Sequence, residues 1–359
     1  MANPPPSPRP PSWKVWLIAS RPHTLTASLS PVIVGSYATS TSLSFDDHRK
    51  EFRLLMLQWA SFCMLMQLGT NLHNDYADFV KGADTEKRVG QARATQRGWL
   101  TPRQTATAAC TVLTVGLALG INFLFQISNH HEKLLSFTSS TSSSSSTPSL
   151  SLRLGIMAAI VVTSIFNAFA YTGGPFPLGY IGLGNVSIGY SGLGDVFVFL
   201  YFGLVATLMI PFLYWTTIVP MNIDDTLLVE KVGSVLHYAI QVALLATNII
   251  VVNNLRDRHT DVEAHKRTLA VRFGAKFCRM QYASQLLAAY ALVLWDVYNG
   301  EEFAWSRFLP LVSLPIALKE LKAVYEKDGK FLNPHVGGAA KVQFLFSLLL
   351  SIGMKLSRQ

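Results

Sequence analysis

Apolar positions along this chain gather in long blocks rather than in the narrow stripes of a helix on a soluble core. Nine blocks run near residues 15–40, 54–79, 101–126, 154–171, 194–215, 233–254, 277–297, 305–321 and 337–355. About 20 apolar residues in a helix cross the ~30 Å hydrocarbon layer of a bilayer, and a helix closes its own backbone hydrogen bonds there. The pattern predicts an all-α fold, a polytopic membrane bundle of about nine transmembrane helices. Pro31 in the first block and Pro211 in the fifth predict kinks.

Composition agrees with this. Half of the 359 residues are hydrophobic and only 14% are charged, against about 25% in a typical soluble domain. The formal net charge of +9 would suggest nucleic acid in a soluble protein. Here Lys and Arg cluster in particular loops, so orientation in the bilayer and anionic ligands account for them, and no nucleic-acid partner is expected. Residues 81–103, 256–279 and 319–330 hold most of these cations, and nine spans place those three loops on one side together with the N-terminus. The positive-inside rule makes that side cytoplasmic, or stromal. Arg49, Lys50 and Arg53, in the first loop of the other side, run mildly against it. Cys63, Cys110 and Cys278 lie in or beside apolar blocks without paired or metal-ligand spacing and read as small buried hydrophobes.

Residues 1–12 are Pro-rich and read as a disordered tail, with the membrane domain occupying 13–359. No secretory signal is expected in that tail, and it is too short for a plastid transit peptide. Residues 134–152, centred on a Ser/Thr run, are expected to form a flexible outer loop. Gly179-Tyr180-Ile181-Gly182-Leu183-Gly184-Asn185-Val186 recurs as Gly189-Tyr190-Ser191-Gly192-Leu193-Gly194-Asp195-Val196, a small tandem duplication.

Candidate chemistry sits at matching ends of the second and sixth blocks. One segment runs from Asn71 to Asp84 and contains Asn74, Asp75 and Asp78; the other runs from Asn253 to Asp261 and contains Asn254 and Asp257. Residues three and four apart share a helix face, so each segment presents a cluster of oxygen ligands. Carboxylates at the mouth of an apolar bundle repel one another and are costly to bury. A divalent cation relieves both penalties, and Mg²⁺ favours a few carboxylates completed by phosphate oxygens and water. Lys81, Lys87, Arg88, Arg93, Arg256, Lys266 and Arg267 lie close in sequence and suit the remaining phosphate charge. The residues therefore point to a Mg²⁺–diphosphate site opening on an apolar cavity. Asp224 and Asp225, at the other side, read as an ordinary loop. His73, His259 and His265 lack zinc-ligand spacing.

At these segments the chain resembles the UbiA superfamily of intramembrane prenyltransferases, in its 1,4-dihydroxy-2-naphthoate prenyltransferase branch. The likeness spans about residues 15–355. It rests on Arg21-Pro22-His23-Thr24-Leu25, Asn74 to Asp84, Arg93 to Gly98, Tyr171 to Pro175, Gly192 to Val196, Asn253 to Asp261 and Lys266 to Gly274. The resemblance implies a nine-helix bundle around a central cavity open sideways to lipid, capped by cytoplasmic loops. It also implies Mg²⁺ and diphosphate held by Asn74, Asp75 and Asp78 with Asn254, Asp257 and Asp261. Asp84, two positions later than the commonest superfamily spacing, joins them as a further candidate ligand. The Ser-rich insertion and the duplicated Gly-Tyr segment depart from the family pattern.

The activity expected is Mg²⁺-dependent transfer of a prenyl chain from a polyprenyl diphosphate to 1,4-dihydroxy-2-naphthoate. Diphosphate and carbon dioxide leave, and the product is a menaquinone or phylloquinone precursor. Asp75, Asp78, Asp257 and Asp261 would carry the diphosphate chemistry. Tyr171 would face the allylic cation with its ring, and Arg21 would meet the acceptor's carboxylate. Menadione, homogentisate and 4-hydroxybenzoate are alternative acceptors. An ion-coupled transporter fits less well, because the acids gather at one end of the spans rather than at mid-membrane. A scaffold role leaves both aspartate motifs unexplained.

Overall fold

Pro22 splits the first apolar block in two. In the computed structural model, α1 (Ser12–Ser20) ends and α2 (Pro22–Thr41) begins around Arg21, whose φ of 51° and ψ of 64° are left-handed. A residue before proline avoids the right-handed helical region, and Arg21 is the one non-glycine residue with positive φ among those described. The single first span expected from the apolar pattern is therefore a broken helix, and Arg21 sits at the break rather than inside a span. The structure describes residues 9–41, 48–82, 89–91, 93–138, 149–172, 192–219, 223–263, 266–299 and 304–357.

The helices that follow are α3 (Arg49–Val80), α4 (Pro102–Thr138), α5 (Leu150–Ala170) and α6 (Gly194–Phe199). A π turn, Leu200–Val205, joins α6 to α7 (Ala206–Thr217). Next come α8 (Asp225–Gly233), α9 (Leu236–Glu263) and α10 (Leu269–Tyr298). Two 3₁₀ turns, Trp305–Ser313 and Gly329–Leu332, lead into α11 (Leu314–Glu326) and α12 (Asn333–Leu356). No strand occurs among the described residues.

Five stretches are long and apolar enough to cross a bilayer: Pro102–Ser136, Leu150–Ala170, Gly194–Thr217, Leu236–Glu263 and Gly329–Leu356. The other four expected blocks are not among these stretches; α2 is rich in Ser and Thr, and the apolar part of α3 is interrupted by Arg53, Gln58 and Gln67. Helices α4 and α5 reach Thr138 and start at Leu150, inside the segment expected as loop. Asp224, expected to lie in a plain loop, caps α8, its carboxylate accepting the Leu227 N–H at 2.7 Å. Most of the duplicated Gly-Tyr segment and residues 1–8 lie outside the described residues.

Among the described residues packing builds two large apolar bodies and a smaller one, where Val15, Ala19, Leu72 and Ala109 join α1, α3 and α4. Trp59, Phe62, Phe123, Met157 and Leu213 join α3, α4, α5 and α7. Val242, Leu245, Tyr282, Leu286 and Phe346 join α9, α10 and α12. Helix α2 contributes Val32 to the first and Val34 to the second, so it lies at the seam. There Gly35 permits an approach no other residue would allow: an added Cβ would stand 2.5 Å from the Thr207 carbonyl oxygen. Thr207 lies four residues before Pro211, which has no N–H to offer that carbonyl. One residue earlier, the Ala206 carbonyl accepts the Trp59 indole N–H at 2.9 Å. This irregular stretch of the α6–α7 span is thus met by polar or small groups from α2 and α3.

Candidate active site

Helices α3 and α9 each turn one polar face toward a common cavity of about 400 Å³. From α3 come Gln67, Asn71, Asn74 and Asp78, spaced by three and four residues. From α9 come Ile250, Asn253, Asn254, Asp257 and Asp261. Arg93, Arg256 and Lys266 add three cations to the wall, and Arg21 and Tyr171 close it from the α1–α2 break and the end of α5.

Five of the cavity's charged side chains form ion pairs with one another. Arg93 Nη2 lies 2.8 Å from Asp78 Oδ2, with both side chains buried. Lys266 Nζ lies 3.4 Å from Asp78 Oδ1, so Asp78 is bracketed by cations from two different loops. Arg256 grips Asp257 with two bonds of 2.7 and 2.6 Å and donates to Asn253 Oδ1 at 2.8 Å. Asn74 accepts the Thr172 hydroxyl, and Lys81 Nζ donates to the Thr172 carbonyl at 2.5 Å. Asn254 Nδ2 donates to the buried Asp195. Below these charges the α1–α2 break is clamped by Asn71, whose amide donates to the Ser20 carbonyl and the Thr24 hydroxyl, each at 3.0 Å. Asn71 in turn accepts from Gln67 at 3.0 Å. Arg258 holds Asp328 with both guanidinium arms, tying α9 to the turn before α12; this contact keeps the Asp328 carboxyl below the usual carboxylate pKa range.

A smaller cavity of about 80 Å³ adjoins the first, and Thr70, Tyr171, Val198 and Phe202 line both. Its wall is largely aromatic and apolar, with Trp59, Phe62, Met66, Phe197 and Tyr201. A polar chamber therefore continues into a greasy pocket between α3, α5 and the α6–α7 span.

Most of the residues expected in the site reach this chamber: Asn74, Asp78, Asn254, Asp257, Asp261, Arg93, Arg256, Lys266, Arg21 and Tyr171 all line it. Asp75 does not line it. It is 1% exposed on α3, where one residue's ~100° turn carries it off the face of Asn71, Asn74 and Asp78. Arg267 is exposed, and its carbonyl accepts from Arg272 Nε at 3.0 Å. Thr268 caps α10 immediately after it, and the chain turns there so that Lys266 faces in and Arg267 out. Lys81 is engaged at the rim with Thr172 rather than in the wall. Asp84, Lys87 and Arg88 lie outside the described residues. Asn71, Asn253, Thr172 and Asp195 were not singled out from the sequence. Asn71 and Asn253 belong to the quoted motifs at helical spacing, so their faces were readable there, and Thr172 and Asp195 lie in the quoted segments Tyr171 to Pro175 and Gly192 to Val196 without an assigned role.

The donors suit a divalent cation bound with phosphate. Among the described residues no three His, Cys, Asp or Glu side chains gather closely enough to cage a metal alone. The wall offers instead separate carboxylate and amide oxygens beside cations, a set that fits a hard cation whose shell is completed by phosphate oxygens and water.

No protein-family model matches the chain. Curated relatives do. A 1,4-dihydroxy-2-naphthoate octaprenyltransferase of Mycobacterium tuberculosis is 31% identical over 341 residues, covering 95% of this chain and 96% of its own. Its counterpart in Haemophilus influenzae is 28% identical over 344 residues, covering 95% and 96%. A UbiA prenyltransferase domain-containing protein 1 homolog of Drosophila melanogaster is 26% identical, covering 94% and 78%. Among solved structures, a digeranylgeranylglyceryl phosphate synthase covers 95% of this chain at 15% identity with a TM-score of 0.47, a likeness too slight to argue from. On the identity and coverage of these relatives, the chain is an integral membrane prenyltransferase belonging to the 1,4-dihydroxy-2-naphthoate prenyltransferase family of the UbiA superfamily.

Proposed function

We propose that this protein transfers a polyprenyl chain from its diphosphate to 1,4-dihydroxy-2-naphthoate, a step in making menaquinone or phylloquinone. The acceptor is the one that the Mycobacterium tuberculosis and Haemophilus influenzae relatives are named for. The observation that carries the reading is the joint cavity: oxygen-bearing faces of α3 and α9 and the cations Arg93, Arg256 and Lys266 line one chamber, which continues into an aromatic pocket.

Asp78, Asp257 and Asp261, with Asn74 and Asn254, would hold Mg²⁺ against the diphosphate. Bound there, the cation supplies Lewis-acid stabilisation of the leaving group. Arg93, Arg256 and Lys266 take part of the diphosphate's charge by exchanging their carboxylate contacts for phosphate oxygens. The prenyl tail lies along Phe62, Phe197 and Phe202, which exclude water while the allylic C–O bond breaks and its electron pair departs with diphosphate. Tyr171, shared by both cavities, presents its ring to the developing positive charge. Arg21 takes the acceptor's carboxylate and sets the ring carbon that bears it toward the allylic carbon. The new C–C bond forms there, and the carboxylate leaves as carbon dioxide, the electron pair of its bond to the ring restoring the aromatic system, so that no proton is released.

All nine apolar blocks cross the bilayer in this reading, with the N-terminus and the active site on the cytoplasmic or stromal side. The test is purified protein in detergent with Mg²⁺, 1,4-dihydroxy-2-naphthoate and prenyl diphosphates of graded length, the products identified by mass. A decarboxylated prenyl naphthoquinol is expected. Prenylation of 4-hydroxybenzoate or homogentisate but not of the naphthoate would overturn the choice of acceptor.

A further inference from the structure

Asp195 has no role in the scheme above, yet it is a carboxylate only 5% exposed beside the catalytic chamber. It stands in the first turn of α6 and forms no ion pair among the described residues. Burying a carboxylate without a cation is costly unless hydrogen bonds replace its water. Two side-chain amides do so from separate helices: Asn254 Nδ2 lies 3.2 Å from Oδ1, and Gln281 Nε2 lies 2.8 Å from Oδ2.

The pairing settles how Asn254 is turned. An ionised carboxylate only accepts hydrogen bonds, so each amide must offer it the NH₂ end. With Nδ2 held by Asp195, the opposite end of the Asn254 carboxamide, its oxygen, is directed away from that contact, and Asn254 is a wall residue of the chamber. The backbone explains how Asp195 comes this close. A Cβ on Gly194 would lie 3.2 Å from Ile250 Cδ1 and 3.4 Å from the Tyr171 hydroxyl, so the start of α6 presses onto α9 one turn before Asn254.

We propose that Asp195 is a positioning residue. It fixes the Asn254 carboxamide with its oxygen presented to the chamber as a ligand for the divalent cation, and Gln281 holds Asp195 from behind. This inference rests on the cation–diphosphate reading of the site. Outer partners that orient a metal ligand typically contribute about 10–100-fold to metal affinity.

The test is the Mg²⁺ concentration at which purified protein half-saturates with radiolabelled inorganic pyrophosphate, a binding measurement independent of turnover. Asp195→Ala should raise it about 10–100-fold. Asp195→Asn, which offers one acceptor to two donors, should raise it less and serves in both backgrounds if Asp195→Ala does not fold. In an Asn254→Ala background the same substitutions should add little further loss, because Asp195 acts through Asn254. A wild-type Mg²⁺ requirement in the Asp195 variants, or an equal loss in both backgrounds, would overturn the inference while leaving the site reading intact. Wild-type protein that binds no pyrophosphate at any Mg²⁺ concentration would overturn both.

Discussion

Lys266 reaches across the chamber to Asp78, its ammonium 3.4 Å from Oδ1 of a carboxylate that Arg93 holds from the other side at 2.8 Å. Asp78 is 2% exposed, so each of its contacts is made away from bulk water. The pair joins the loop after α9 to the end of α3, the two elements whose motifs face one another. Replacing Asp78 by Asn keeps the shape and removes the charge. Asp78→Asn should lower turnover by about 10²–10³-fold, the usual effect of deleting one preorganised electrostatic group, with the protein still eluting as a folded species in detergent. Near wild-type turnover would show that Asp78 is structural.

The aromatic pocket sets a second expectation. Ala168 is buried in its wall between α3 and α5. Ala168→Phe should shorten the prenyl diphosphates accepted, cutting activity with long chains more than with a five- or ten-carbon donor. A uniform loss across chain lengths in the graded assay would place the tail elsewhere.

Gly35 gives a prediction about packing alone. A Cβ there meets backbone, the Thr207 carbonyl at 2.5 Å, and backbone cannot rotate aside. Gly35→Ala should destabilise the bundle by about 1–3 kcal/mol, read as a lower melting temperature in detergent. An unchanged melting temperature would mean that α2 and α7 separate freely.

The Arg258–Asp328 clamp carries a pH signature. Its folded carboxyl titrates below the unfolded value of about 3.9. Its stabilisation is therefore present above that value and is lost as pH falls through the depressed folded value. Asp328→Asn should lower the melting temperature at neutral pH and flatten its decline in acid. A parallel decline in both proteins would show the clamp to be inert.

The sequence made the two carboxylate motifs legible because each lies within two or three turns of one helix, where spacing alone decides which side chains share a face. The all-helical membrane fold was legible for the same reason, since long apolar runs act locally. Arg21 was misplaced because apolar continuity outweighed the break that Pro22 imposes. Arg267 was grouped with Lys266 by composition, but the turn into the Thr268 cap sends neighbouring cations to opposite sides. Asp195 stood in the quoted Gly192 to Val196 segment without a role, since its partners Asn254 and Gln281 come from two other helices and only tertiary packing brings them together.

In the proposed mechanism the α3 and α9 motifs hold one diphosphate between them. Calorimetric titration of purified protein with inorganic pyrophosphate in excess Mg²⁺ tests it directly, using wild type, Asp78→Asn and Asp257→Asn. One site per chain, lost in either variant, is the predicted result. Two sites, each removed by only one of the substitutions, would contradict it.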